Sequence, residues 1–117
     1  MSFERMATNL RKGVLEYCVL ALLRHERRYG VDLARRLAAV GLLTSEGTLY
    51  PLLSRMRGAD LVESEWVESE EGRPRRYYEL TEAGRARLAE FREVWGPLRD
   101  AVDATLREDV DARPRED

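Results

Sequence analysis

The chain has 117 residues, 44% hydrophobic and 36% charged, with a formal net charge of −2. That length allows one domain with a core of its own and little more, and the mix of charged and apolar residues is that of a helix-rich globular protein. A single cysteine, Cys18, excludes an intrachain disulfide; it lies in an apolar run and reads as core, in keeping with a reducing, cytoplasmic setting.

The charge is unevenly spread. From Asp100 to Asp117 seven acids face three arginines, a net −4, so the remainder carries +2 and leaves room for a local basic surface. The longest apolar run, Val14 to Leu23, is broken by Glu16 and too short to cross a bilayer. Arg11 and Lys12 ahead of it imitate the start of a signal peptide. However, Arg24 to Arg28 follow instead of a small-residue cleavage site, which argues against export.

Residues 1–9 lack periodicity and read as a flexible N-terminal arm. A first helix is expected from Leu10 to His25, apolar on nearly all sides and therefore buried on more than one, with one side turned toward another subunit. Glu26 to Tyr29 read as a charged turn. A second helix runs from Gly30 to Ala39, with Leu33, Ala34, Leu37 and Ala38 inward, and Gly41 stops it.

The third helix is the stretch around which the chain is organised. Leu49, Leu52, Leu53 and Met56 form one apolar stripe; Thr48, Tyr50, Pro51, Ser54 and Arg55 form the opposite face, without a carboxylate. Hydroxyls and a guanidinium suit phosphates and base edges. Thr44 or Ser45 can cap it. Pro51 cannot donate to the Gly47 carbonyl, so either the first turn is distorted or the regular helix begins near Tyr50. Its end is expected between Gly58 and Asp60.

Leu61 to Val67 and Arg75 to Leu80 alternate as strands, and Gly72 and Pro74 mark a turn between them, giving an antiparallel hairpin with a charged tip. Thr81 is a good N-cap for a long helix over 81–107, with Glu82 in its first turn. Leu88, Phe91, Trp95, Leu98 and Val102 step by three and four as a dimerisation seam. Gly96-Pro97 should kink that helix. Residues 108–117 read as a disordered tail.

The expected fold is thus mainly α (α+β), a winged helix-turn-helix over 10–80 with a long C-terminal dimerisation helix. In such a fold the third helix enters the major groove and the hairpin tip meets the backbone or the neighbouring minor groove. Arg73, Arg75 and Arg76 sit at that tip or on its descending arm. Exposed pairing with Glu68, Glu70 and Glu71 is worth only ~0–1 kcal/mol and would yield to phosphates. Arg76 is left between a phosphate and a core-facing acid.

Tyr29-Gly30, EGTLYPLLSRM, Leu61-Val62-Glu63 and GRPRRYYELTEAGRARL resemble the PadR family of transcriptional regulators, over roughly residues 10 to 106. The short chain is similar to the compact branch with one C-terminal helix. Two departures stand out: Asp60, where members usually have Gly, and Gly96-Pro97 in the dimer helix. Asp tolerates left-handed backbone better than most residues, so the turn is expected to survive.

The resemblance implies a homodimeric repressor on double-stranded, near-palindromic operator DNA, often responsive to a small aromatic or drug-like effector. It assigns DNA contact to Ser45, Thr48, Tyr50, Ser54, Arg55, Arg73, Arg75 and Arg76. Tyr29 stays open between core packing and a phosphate. It also implies that a planar hydrophobic ligand fits between the dimer helices and helix one, with Trp95 as one wall and Val14, Tyr17 and Cys18 as the other.

His25 is the only histidine and has no metal-ligand partners, no nucleophile sits with a base, and no Gly-rich loop precedes a helix. Neither an enzyme nor a cofactor is therefore expected. Two other readings stay open: a winged helix used for protein interaction, and a ligand-binding dimer without DNA affinity.

Overall fold

The computed structural model of the chain describes residues 2–111, with side chains as far as Glu108. Helix α1 spans Phe3–Leu22, so the segment expected to be an arm is helical from its third residue. The missed signal is at its start: the Ser2 hydroxyl accepts a hydrogen bond from the Arg5 N–H at 3.0 Å, and Glu4 follows in the first turn. The first half of α1 leaves Phe3, Met6 and Leu10 exposed, while Leu15, Val19 and Leu20 are buried.

The expected charged turn contains a short strand, β1 (Arg28–Tyr29), too short at two residues to show alternation in the sequence. Arg28 fixes this junction. It donates to the Leu22 carbonyl at 2.7 Å and pairs with Asp32 and Glu26, both at 3.2 Å. Burial pushes the Asp32 carboxyl up, but hydrogen bonds from Arg36 and Arg28 outweigh it, and the net effect holds the group below its ordinary range.

Helix α2 spans Gly30–Ala39. Beyond it Gly41 takes a φ of +78°; its N–H donates to the Ala38 carbonyl and that of Leu42 to the Leu37 carbonyl. This double closure needs a left-handed residue, which glycine supplies without strain. Arg11 donates to the Gly41 carbonyl at 3.0 Å and ties α1 to this turn.

Helix α3 spans Glu46–Gly58. Ser45 caps it, its hydroxyl accepting from the Gly47 N–H at 3.1 Å. The helix starts upstream of Pro51, so the proline lies in its interior. Leu49, Leu52, Leu53 and Met56 are all buried, as the stripe predicted. The helix closes as α2 does: Asp60 and Leu61 donate to the Arg57 and Met56 carbonyls, and Asp60 holds a φ of +61°. The turn survives the replacement of glycine.

Strands β2 (Val62–Val67) and β3 (Arg75–Leu80) pair antiparallel, Val62 opposite Leu80 and Val67 opposite Arg75, and the sheet order is β1-β3-β2. Helix α4 (Glu82–Asp111) runs unbroken through Gly96-Pro97 and beyond the expected end at Arg107. Its last residues take in the start of the segment read as a tail; residues 112–117 of that segment lie outside those described. The Thr81 hydroxyl caps α4 by accepting from the Gly84 N–H at 3.0 Å and donates to the Asp60 carbonyl at 2.6 Å. Gly84 is buried, and a methyl group there would overlap the Leu61 carbonyl. This close approach seats α4 against the turn that follows α3.

Candidate nucleic-acid interface

With its apolar stripe buried, α3 must turn its other face outward. Thr48, Tyr50, Ser54 and Arg55 are all exposed, as is Ser45 at the cap. No ion pair among the described residues includes Arg55. Tyr50 is held more firmly than its neighbours. Its ring lies over the first residue of α2, where a methyl group on Gly30 would come within 2.8 Å of it. Burial, then the charge of Glu46 and the presence of Tyr78, push its phenol pKa up, so the hydroxyl stays a donor.

The wing is a set of stacked cations rather than a loose charged tip. The Arg75 guanidinium sits 4.6 Å from the Tyr29 ring centroid, and Tyr29 leans on Tyr77 at 5.6 Å. Tyr29 is half-buried and carries the Arg75 guanidinium on its ring. Arg76 pairs with no acid among the described residues. It donates to the Ser64 hydroxyl at 2.9 Å and lies over Trp66 at 5.5 Å and Tyr78 at 5.9 Å. Among the described residues, Glu71 is the one of the three glutamates that forms a pair, with Arg75 at 3.5 Å. Arg73 is exposed, and its carbonyl accepts from the Ser69 hydroxyl at 2.6 Å.

These groups meet in one cleft of about 520 Å³, lined by Tyr29, Tyr50, Arg73, Arg75 and Arg76. Arg35 of α2 and Trp66 of β2 line it as well. Neither carries a signal of its own in the sequence: Arg35 is one of several charges on α2, and Trp66 one position in an alternating strand.

The second constellation divides. Val14, Tyr17, Phe91, Trp95 and Leu98 line a groove of about 420 Å³ between α1 and α4. Tyr17, Phe91 and Trp95 form a ladder: Tyr17 stacks on Phe91 at 4.3 Å with 5° between ring planes, and Phe91 on Trp95 at 5.7 Å. Cys18 and Leu88 are not part of this groove. Leu88 is buried in the core rather than on an outer seam, because the start of α4 lies against the body. Cys18 packs against that same core, and burial pushes its thiol pKa up. Val102 is exposed further along α4.

Three helices, a small antiparallel sheet and a hairpin flanking the outer face of the third helix define a winged-helix protein with a long C-terminal helix. Residues 19–90 match the model of the transcriptional regulator PadR-like family, and the chain belongs to that family. It is 38% identical to a PadR-like transcriptional regulator from Bacillus cereus, with a TM-score of 0.76 over 84% of this chain and 96% of that one. It is 44% identical over 66 residues to Transcriptional regulator Rv3488 of Mycobacterium tuberculosis, which covers 56% of this chain and 61% of the relative. A structure of Bacillus subtilis PadR in complex with operator DNA shares the fold, with a TM-score of 0.61 and 21% identity over 67% of this chain and 46% of that one. No described helix is long and apolar enough to cross a membrane.

Proposed function

We propose that this PadR-family regulator is a homodimeric repressor that places α3 in the major groove of a near-palindromic operator. The wing lies along the adjoining backbone or minor groove. The observation that carries this reading is the outer face of α3: Thr48, Tyr50, Ser54 and Arg55 are exposed beside a wing bearing Arg73, Arg75 and Arg76. Arg55 is the best candidate for a guanine edge, because its fork matches two acceptors. Two recognition helices must sit about 34–36 Å apart to read successive half-sites. The exposed Leu98, Val102 and Leu106 of α4 supply an apolar band for the second copy.

The stacked Tyr17, Phe91 and Trp95 favour a planar hydrophobic effector between the subunits, which would change the helix spacing and release the operator. Such coupling is typically ~1–3 kcal/mol.

The test is to select duplexes from a random pool and titrate the winner at several salt concentrations. Wild type should bind, and the Arg73→Ala, Arg75→Ala double variant should bind all sequences more weakly with a flatter salt dependence. An unchanged slope removes the wing from the interface. Compounds that quench Trp95 while leaving operator affinity unaltered would end the effector reading.

A further inference from the structure

The cleft beside α3 holds more than the recognition-helix reading uses. Arg76 is pinned between Ser64, Trp66 and Tyr78, and Arg75 is engaged by Tyr29 and Glu71. Glu71, the one carboxylate lining the cleft, is thereby answered by a cation. Arg35 on the α2 wall and Arg73 on the wing wall take part in no ion pair among the described residues. Trp66 of β2 lines the same cleft, and its large apolar ring is 64% exposed. An exposed indole is costly to leave in water, and a guanidinium held over it keeps the surroundings positive without a flexible side chain having to be ordered on binding.

Two guanidiniums outside any ion pair among the described residues, one from α2 and one from the wing, line one cleft with a flat apolar ring, a set that suits the alternation of phosphate and deoxyribose in a nucleic-acid strand. We propose that the cleft clasps one backbone step of each operator half-site, with a phosphate between Arg35 and Arg73 and the adjoining deoxyribose against Trp66. The clasp rests on the DNA reading above and adds two residues to it. Arg35 belongs to α2 and Arg73 to the wing, so a phosphate bridging them fixes the wing relative to the helix-turn-helix. It thereby sets the register in which α3 meets the bases.

The experiment uses the full chain and a duplex selected by the wild-type protein. The two tryptophans are Trp66 and Trp95, so in Trp95→Phe the emission reports Trp66 alone. Adding duplex should change that emission, and inorganic phosphate at the same ionic strength should not. Single phosphates of the duplex are then replaced by neutral methylphosphonates. At one position per half-site the replacement should cost wild type about tenfold in affinity and the Arg35→Gln, Arg73→Gln double variant about twofold or less, since residues and phosphate act as one unit. Trp66→Ala should weaken binding while keeping the salt slope, because its contact is apolar.

Losses that add independently at every phosphate, or a Trp66 emission that responds to inorganic phosphate and not to duplex, overturn the clasp while leaving DNA binding intact. A selection that enriches no duplex removes the DNA reading and the clasp together. Should Trp95→Phe fail to fold, the methylphosphonate comparison in the chain with both tryptophans decides alone.

Discussion

Helices α3 and α4 each carry apolar residues spaced by three and four, and each has an internal proline. In α3, Leu49, Leu52, Leu53 and Met56 are at most 5% exposed. In α4 the same kind of stripe starts buried at Leu88, 5% exposed, and then rises through Trp95 at 38% to Leu98 at 52% and Leu106 at 57%. The two helices are built by one rule, but a single chain completes only the first. Periodicity states that a face must be covered; it does not state which molecule covers it.

That contrast can be broken from either side. The largest effect is expected in α3. Leu53→Ala removes a fully buried side chain and should cost about 2–5 kcal/mol in urea unfolding monitored by far-UV circular dichroism. Leu98→Ser with Val102→Ser on α4 should instead leave the winged-helix body folded and shift sedimentation toward single chains at micromolar concentration. A body that unfolds with this pair would mean that the two stripes are not distinct in kind.

A smaller loss is expected where α4 meets the turn that follows α3. Gly84→Ala drives a methyl group into the Leu61 carbonyl and should cost about 1–3 kcal/mol, while Ala83→Gly next to it has no such collision to relieve. The smallest effect concerns acid. Asp32 titrates below its ordinary range, so its contribution is present above the unfolded-state pKa and is lost as pH falls through the folded one. Wild type should therefore lose stability more steeply on acidification than Asp32→Asn, and parallel acid-unfolding curves would remove the Arg28–Asp32–Arg36 network from the account.

The parts of the fold legible in the sequence are those where local chemistry and burial agree. The α3 stripe, Gly41, the hairpin and the Thr81 cap each carry their own signal, and so did Asp60, which adopts the left-handed turn expected of it. What escaped lacked a local signature. The start of α1 has no buried face to mark it, since Phe3, Met6 and Leu10 are exposed. Strand β1 is two residues whose role is given by their partners Tyr77 and Tyr78. Leu88 fitted the seam by spacing, but the seating of α4 on Leu61 turned it into the core.

In the cleft, the arginines were legible as charge, but their commitments were not. That Arg76 rests on Trp66 and Arg75 on Tyr29 depends on a strand register and on β1, neither of which a count of cations reveals.

The contact between Tyr50 and Gly30 has a practical corollary. An aromatic ring on one helix of the reading head occupies the volume that any larger residue on the other would claim, so the two positions behave as lock and ward and should drift only together. A Tyr50→Phe exchange keeps the ward and deletes a single oxygen. It isolates the chemical role of that oxygen from the spacing of the scaffold that carries it.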